Sequence, residues 1–317
     1  MQSLKRGFIF VKQVFGMTRL NPAGLRPSGY SVLTGLAIAL VCLILIGLSL
    51  ATGWGSPAGM ALTGFLLCAM LFGQLAAGAI FSALTATQAY AHLIHEPPGP
   101  TGQLASLRKT WLDLLLFSLA SPGLWAASRF KLRSSHLPAS TPPRPDGQAE
   151  LEEVVAETPL RQSAKPVAFD TTWVNASYLV IPIMGIEGLK LKESLSRAAQ
   201  FIQSHALRLS ANLIGVRPLS WLVGGLLSLI GIASGWSLYH FTIQHSHGIA
   251  LRSALFASLS LFTFDLFFLA AIVFGAYINT VYATCLYLWS CTAEKARLEN
   301  LTEPASVPML LAAALEK

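Results

Sequence analysis

The sequence predicts an all-α polytopic membrane protein with four transmembrane helices and additional interfacial or re-entrant amphipathic helices. Of its 317 residues, 53% are hydrophobic and 12% are charged, whereas soluble domains carry about 25% charged residues. Four apolar stretches are long enough to cross a bilayer, which takes about 20 residues. The basic residues concentrate on one side of these stretches. This composition argues against a soluble enzyme and excludes a chain that is disordered throughout.

Two transmembrane hairpins are predicted. The first occupies 29–84, where two uncharged apolar stretches, 29–52 and 59–84, are separated by six residues. The second occupies 219–292, and its first span starts at Trp221. The short loop of each hairpin then lies on one side of the bilayer. All the longer segments, before, between and after the hairpins, are expected on the opposite side.

The last apolar stretch is about twice as long as a span needs to be. It begins near Ser253, stays apolar to Cys291 and contains a single charge, Asp265. Gly275 is its only glycine, and it contains no proline. We therefore predict one long helix that leaves the membrane near Tyr277.

The distribution of Lys and Arg predicts the orientation. With four spans, 21 of the 22 basic residues fall on one side, among them five in 1–28 and thirteen in 85–220. The other side carries one, Arg252. The positive-inside rule makes the basic side cytoplasmic. Both termini are then cytoplasmic.

A fifth apolar stretch, 111–128, leaves two topologies open. It is short, contains Asp113 and is interrupted by a Ser-Pro-Gly sequence, which favours a re-entrant or interfacial hairpin. The alternative is a crossing paired with a second one near 172–186. That alternative would place Arg129 and its basic neighbours outside and weaken the charge bias.

The segments outside the hairpins are basic and suit contact with an anionic membrane surface. Two stripes run along 4–20 at helical spacing, an apolar one of Leu4, Phe8, Val11 and Phe15 and a basic one of Lys5, Lys12 and Arg19. A second amphipathic helix is predicted after Gly185. Such helices anchor on anionic lipid headgroups, with docking of a partner as the alternative. The net charge of +7 lies next to spans, so it favours lipid over nucleic acid as the partner.

The predicted organisation has seven segments. They are an N-terminal interfacial amphipathic helix (1–28), a transmembrane hairpin (29–84), a cytoplasmic helix with a re-entrant or interfacial segment (85–133), a Pro- and Glu-rich disordered cytoplasmic linker (134–170), an interfacial amphipathic segment (171–218), a transmembrane hairpin with a long last helix (219–292) and a cytoplasmic tail (293–317). The linker assignment rests on a composition that buries little apolar surface.

Asp265 is the main candidate for a functional residue inside the membrane. A carboxylate at mid-depth costs a few kcal/mol or more, so it is expected to face the bundle and to be paired or protonated. Gln74, Ser228 and Ser234 are the partners expected at similar depth. Two interpretations stay open, a proton- or cation-handling residue of a transporter and a hydrogen-bonded acid that holds the bundle together.

No enzyme motif or cofactor-binding motif stands out. The sequence has no phosphate-binding glycine loop, nucleophile elbow or zinc-protease motif. His240, His245 and His247 lie at the outer end of the third span, where they are weak candidates for a metal site or a pH response. We predict no cofactor and no catalytic residue.

The stretch from Trp173 to Arg197 resembles a family of bacterial multi-span membrane proteins known only as a domain of unknown function. That family has a Trp, an apolar run ending in Pro, a Glu and then an amphipathic helix with a basic residue, positions occupied here by Trp173, Pro182, Glu187 and Arg197. The entry segment 8–22 and the exit segment 281–289 are also similar.

The resemblance implies an architecture and a location, the bacterial inner membrane, but no activity. It also draws attention to Pro182 and Glu187. A Pro followed by an acidic residue is typical of a helix break, where Glu187 would bond backbone amides or Arg197. A lipid headgroup or a partner is the other expected contact for this motif.

Three functions are compatible with the sequence. The first is a non-catalytic membrane scaffold or accessory subunit that contacts lipid, a second copy or another membrane protein through its basic cytoplasmic face. The second is a small permease for an ion, a lipid or a small molecule that uses Asp265. The third and weakest is a membrane-embedded enzyme.

Overall fold

A computed structural model describes the residues 2–20, 22–53, 56–94, 106–120, 171–203, 215–245, 250–299 and 307–315. These residues contain no strand, which confirms the all-α class. The helices are α1 (Gln2–Leu20), a short 3-10 helix (Pro22–Leu25), α2 (Arg26–Gly53), α3 (Pro57–Leu93), α4 (106–120), α5 (Thr171–Glu187), α6 (Leu191–Gln203), α7 (Val216–His245), α8 (Ala250–Leu298) and α9 (Met309–Leu315). The predicted disordered linker lies outside the described residues.

Four of the described helices, α2, α3, α7 and α8, are long and apolar enough to cross a membrane, which confirms the predicted number of spans. Of the fifth apolar stretch, 111–128, the residues 111–120 are described and are helical, as part of α4. The helix α5, 17 residues long, covers 172–186, the second crossing of the alternative topology. At 1.5 Å per residue α5 is about 25 Å long, shorter than the hydrocarbon core of about 30 Å.

The long helix α8 is the centre of the bundle. It runs without a break through Gly275 and contacts α1, α2, α3, α5 and α7. Its 49 residues make a rod about 74 Å long. This one helix therefore contacts two sets of helices: the spans along its first half and a set of shorter helices along its second half.

Glycines allow the spans to approach one another closely. A Cβ at Gly231 of α7 would lie 2.9 Å from the Cβ of Phe267 on α8, and one at Gly235 would lie 3.0 Å from the Ser260 carbonyl oxygen. A Cβ at Gly73 of α3 would lie 3.2 Å from a methyl carbon of α2. These contacts are of the small-residue type that drives helix association in lipid, where burial of apolar surface gives no advantage.

The shorter helices form what we call the helical layer, made of α1, α4, α5, α6 and α9 with the last turns of α3 and the second half of α8. Its core is one continuous hydrophobic cluster to which all of these helices contribute. The layer lies at the end of the bundle where α2 begins and α3 ends, which we call the layer end. The opposite end, where each hairpin turns, is the loop end.

The first helix is fixed to the bundle by a close backbone contact. The Gly215 amide donates a hydrogen bond to the Ser3 carbonyl oxygen over 2.9 Å, and a Cβ at Gly7 would lie only 2.6 Å from the Gly215 oxygen. Further along α1, the ring of Phe10 packs edge-on against Tyr282 of α8. α1 is therefore part of the layer core as well as a surface helix.

The close contact between α7 and α8 can be tested with Gly231→Val. The added side chain would meet Phe267 and Phe264 of α8, and overpacking of this kind costs about 1–3 kcal/mol. We expect a clear fall in the melting temperature of the detergent-solubilised protein. Gly225→Val is the matched control, because no atom lies within 4 Å of a Cβ at that position on the same helix. Equal melting temperatures for the two variants would contradict the packing.

Candidate functional site

The two intramembrane polar candidates meet in the bundle core. The Gln74 amide nitrogen, Nε2, donates to both carboxylate oxygens of Asp265, at 3.0 Å to Oδ1 and 2.9 Å to Oδ2. Both residues are 2% exposed. Of the three partners suggested by the sequence, Gln74 is therefore the one that binds the carboxyl group.

The pair lies deep between α2, α3 and α8. Counting along the helices from the loop end, Gln74 lies about 26 Å from Pro57 and Asp265 about 23 Å from Ala250, so their depths match. One turn nearer the loop end, Met70 on α3 and Phe262 on α8 belong to an apolar cluster. The carboxyl group is thus held in an apolar environment with one neutral amide as its hydrogen-bond donor.

The Pro182 motif has a different geometry from the predicted break. α5 continues through Pro182, which is buried, and ends at Glu187. The chain turns at Gly188, whose φ is +66° and whose amide bonds the Met184 carbonyl oxygen over 3.1 Å. This is a left-handed cap that glycine adopts without strain. Trp173 lies at the start of the same helix, with its side chain outside the described residues.

Glu187 and Arg197 come together with two side chains from α8, and we call these four residues the layer clamp. The Arg197 guanidinium binds both carboxylate oxygens of Glu294, at 3.2 and 2.8 Å, and its Nε lies 4.0 Å from Glu187. The Tyr287 hydroxyl donates to Glu187 over 2.7 Å. The clamp joins the end of α5 and the middle of α6 to the second half of α8.

Opposing effects act on the charge of Arg197. Partial burial lowers the pKa of its guanidinium, while the hydrogen bonds and negative charge of Glu294, helped by Glu187, raise it, and the net pKa is raised. The guanidinium also lies 4.6 Å from the centre of the Phe201 ring, a favourable cation–π arrangement. Arg197 is a cation, as arginine side chains in proteins are, and its contacts are those of a structural tie between helices.

Sequence reasoning missed the α8 members of the clamp. Tyr287 falls within the exit segment that resembles the family, and Glu294 lies seven residues later on the same face of the helix. A spacing of seven residues indicates that the two side chains share a helix face, but the sequence does not show which other helix packs against that face. The role of Asp113 was missed as well: its carboxylate accepts from the Leu191 amide at the start of α6 over 3.3 Å, where the helix dipole favours an anion.

The histidine group stays a prediction. His240 is exposed near the end of α7, His245 ends that helix with its side chain outside the described residues, and His247 lies outside them altogether. Within the described ranges, no cluster of three or more His, Cys, Asp or Glu side chains has the spacing to hold a metal ion.

Comparison with known proteins gives no further information on function. No family model, no curated protein and no solved structure matches the chain. The resemblance carried by Trp173, Pro182, Glu187 and Arg197 therefore stays a prediction. The features that bear on function are the geometry of the membrane pair, the layer clamp and the surface of the layer.

The layer clamp can be tested by a double-mutant cycle of Arg197→Ala and Glu294→Ala. The two side chains are 32% and 43% exposed, so solvent screens the pair, and we expect a coupling energy of about 1 kcal/mol for its two-pronged geometry. The cycle is measured as the free energy of unfolding in denaturant.

A cycle of Lys295→Ala and Glu299→Ala is the matched control on the same helix. Those groups are more exposed, with side chains 3.8 Å apart, and should couple by about 0.3 kcal/mol. Equal coupling in both cycles would show that the clamp is no stronger than an ordinary surface pair.

Proposed function

We propose that this protein is a non-catalytic membrane scaffold whose helical layer lies on the cytoplasmic leaflet and binds anionic lipid headgroups. The observation that carries this proposal is that α1 and α4 each bury one face in the layer while exposing a second apolar face with basic residues beside it. The bacterial inner membrane is the proposed location, following the family resemblance and the positive-inside rule.

α1 is apolar on two sides. Phe10 and Val14 are fully buried in the layer. Phe8, by contrast, is 63% exposed, and it shares the outer stripe with the exposed side chains of Leu4 and Phe15. This outer stripe is the apolar stripe predicted from the sequence except for Val11, which is half-buried and packs against the layer core. Lys5, Lys12 and Arg19 are exposed beside it. An apolar face rimmed by lysines suits the boundary between lipid tails and anionic headgroups.

α4 repeats the pattern. Its buried side consists of Leu114 and Phe117, which pack into the layer core. Its exposed side is apolar, with Trp111, Leu112, Leu116 and Leu119, and the neighbouring Arg108 and Lys109 are exposed. A helix of this kind would expose a large apolar patch to water, which soluble surfaces avoid.

The aromatic residues of α7 support a membrane boundary at the level of α1. Trp221 is exposed near the layer end of α7, and Tyr239 is exposed near the loop end. About 27 Å of helix separates them, close to the hydrocarbon thickness that aromatic belts bracket. Because Gly7 contacts Gly215, α1 starts within two turns of Trp221, at the depth where an interfacial helix belongs.

The lipid proposal predicts the effect of Lys12→Gln. Each basic side chain near an anionic surface contributes about 1 kcal/mol, so the variant should bind phosphatidylglycerol about fivefold more weakly relative to phosphatidylcholine. The measurement is native mass spectrometry of the protein released from nanodiscs of mixed lipid. Lys295→Gln removes one exposed lysine well beyond Tyr277 on α8 and serves as the control. Equal retention of anionic lipid by both variants would refute the proposal.

The same spectra test assembly, the second part of the scaffold proposal. A second copy of the chain or another polypeptide at a fixed ratio would support a scaffold or accessory subunit. A monomer that retains lipid alone would limit the function to lipid binding. In either case the retained mass identifies the partner.

A permease for a small ion is the second function, favoured by the buried Gln74–Asp265 pair. Asp265→Asn separates the two. The asparagine keeps the shape of the carboxyl group and can still accept from Gln74, so under the scaffold proposal only the melting temperature changes and lipid retention stays at the level of the unaltered protein. Loss of ion flux into protein-containing vesicles, with the fold intact, would support the permease instead.

A further inference from the structure

The Gln74–Asp265 pair has an unused acceptor. While Nε2 of Gln74 serves both carboxylate oxygens, Oε1 of the same side chain has no hydrogen-bond partner among the described residues. Gln74 is 2% exposed, so this oxygen is shielded from bulk water. A buried carbonyl oxygen without a donor is unfavourable by about 1–3 kcal/mol.

Protonation of Asp265 would supply the missing hydrogen-bond donor for Oε1 of Gln74. A protonated carboxyl group offers one O–H donor and retains an acceptor oxygen. With a small rotation of the amide, that O–H can donate to Oε1 of Gln74 while Nε2 donates to the other carboxyl oxygen. Every polar atom of the pair is then satisfied and no charge is buried, whereas the ionised form leaves a charge facing one neutral amide.

A hydroxyl-lined cavity lies between this pair and the layer end. Its volume is about 10 Å³, room for about one water molecule. Its hydroxyl groups come from α2, α3 and α8, and they are Ser28, Ser31, Ser82, Thr85 and Tyr277. Gly78, one turn from Gln74, lines the end nearest the pair.

An apolar contact separates the cavity from the pair. Leu269 lies one turn from Asp265 along α8 and is 2% exposed. Its side chain packs on α2, where a Cβ at Gly35 would lie 2.7 Å from one of its methyl carbons. On the other side of the pair, toward the loop end, the buried cluster of Ala39, Leu43, Ile46 and Met70 fills the space.

We propose that Asp265 and Gln74 form a proton-binding site that exchanges with the layer end through the hydroxyl-lined cavity, with Leu269 as the barrier. In the step, a hydronium ion in the cavity gives one proton to an Asp265 carboxylate oxygen and is left as water, and the reverse step returns the proton. Among the described residues, the titratable group that faces the pair is the Cys42 thiol on α2. The Tyr277 hydroxyl on α8 lines the cavity, about 18 Å along the helix from Asp265. From α3 the facing group is the amide of Gln74, and α7 meets α8 through glycines. The site is independent of the lipid-binding proposal.

Infrared spectroscopy of the full chain in lipid vesicles tests the site. At neutral pH we expect a protonated-carboxyl C=O band that shifts on transfer to D₂O and is absent from Asp265→Asn. Labelling aspartate with ¹³C at the carboxyl carbon assigns the band in the unaltered protein, since Asp265 is the only aspartate within an assigned span, and this keeps the test valid if the variant fails to fold. A missing band in the unaltered protein would overturn the proposal.

The route is tested by the rate of the D₂O shift. Thr85→Val keeps the shape of a side chain that lines the cavity but removes its hydroxyl, and should slow exchange about fivefold to tenfold, the equivalent of one lost hydrogen bond. Leu269→Ala should speed it. Ser258→Ala, one hydroxyl removed on the loop-end side of Asp265, should leave the rate unchanged. Equal slowing by Thr85→Val and Ser258→Ala would overturn the layer-end route.

Discussion

The packing of α8 determines how the rest of the molecule is arranged. One rigid helix of 49 residues, about 74 Å long, meets α2, α3 and α7 in its first half and reaches the helical layer in its second. Because the hydrocarbon core is only about 30 Å thick, less than half of α8 can lie in lipid. The continuity of this helix through Gly275 therefore fixes the distance and orientation of the layer relative to the spans.

Two polar contacts tie other helices to α8: Gln74–Asp265 ties α3, and Arg197–Glu294 ties α6. They differ in how far they are buried. Asp265 bonds Gln74 where both are almost fully buried, so the protonation state of the carboxyl group decides whether the pair is satisfied. Arg197 and Glu294 meet where each side chain is about a third or more exposed, so water screens the charges and the pair contributes modest stability. The first arrangement has a state that can change, while the second acts as a fixed tie.

The features that follow from length, composition and depth were accessible from the sequence. The spans follow from apolar length, and Gln74 was among the partners named for Asp265 because both lie at similar depth. Features that depend on which helix faces which were less accessible. The apolar stripe with Phe8 was visible, but the second face of α1 with Phe10 was not, because periodicity alone does not reveal burial on two sides. Glu294 was missed for the same reason.

The central claim is that α8 is one continuous helix whose first half lies in lipid and whose second half lies in the helical layer, outside the hydrocarbon core. Spin-label depth measurements test this claim most directly. Single labels are placed at exposed positions along α8, Leu259 and Leu266 in the first half and Lys295 and Leu298 in the second. We expect the labels at Leu259 and Leu266 to be relaxed by oxygen, which partitions into lipid, and the labels at Lys295 and Leu298 by a water-soluble nickel complex. A label at Leu266 that the nickel complex reaches, or one at Leu298 that only oxygen reaches, would contradict the claim.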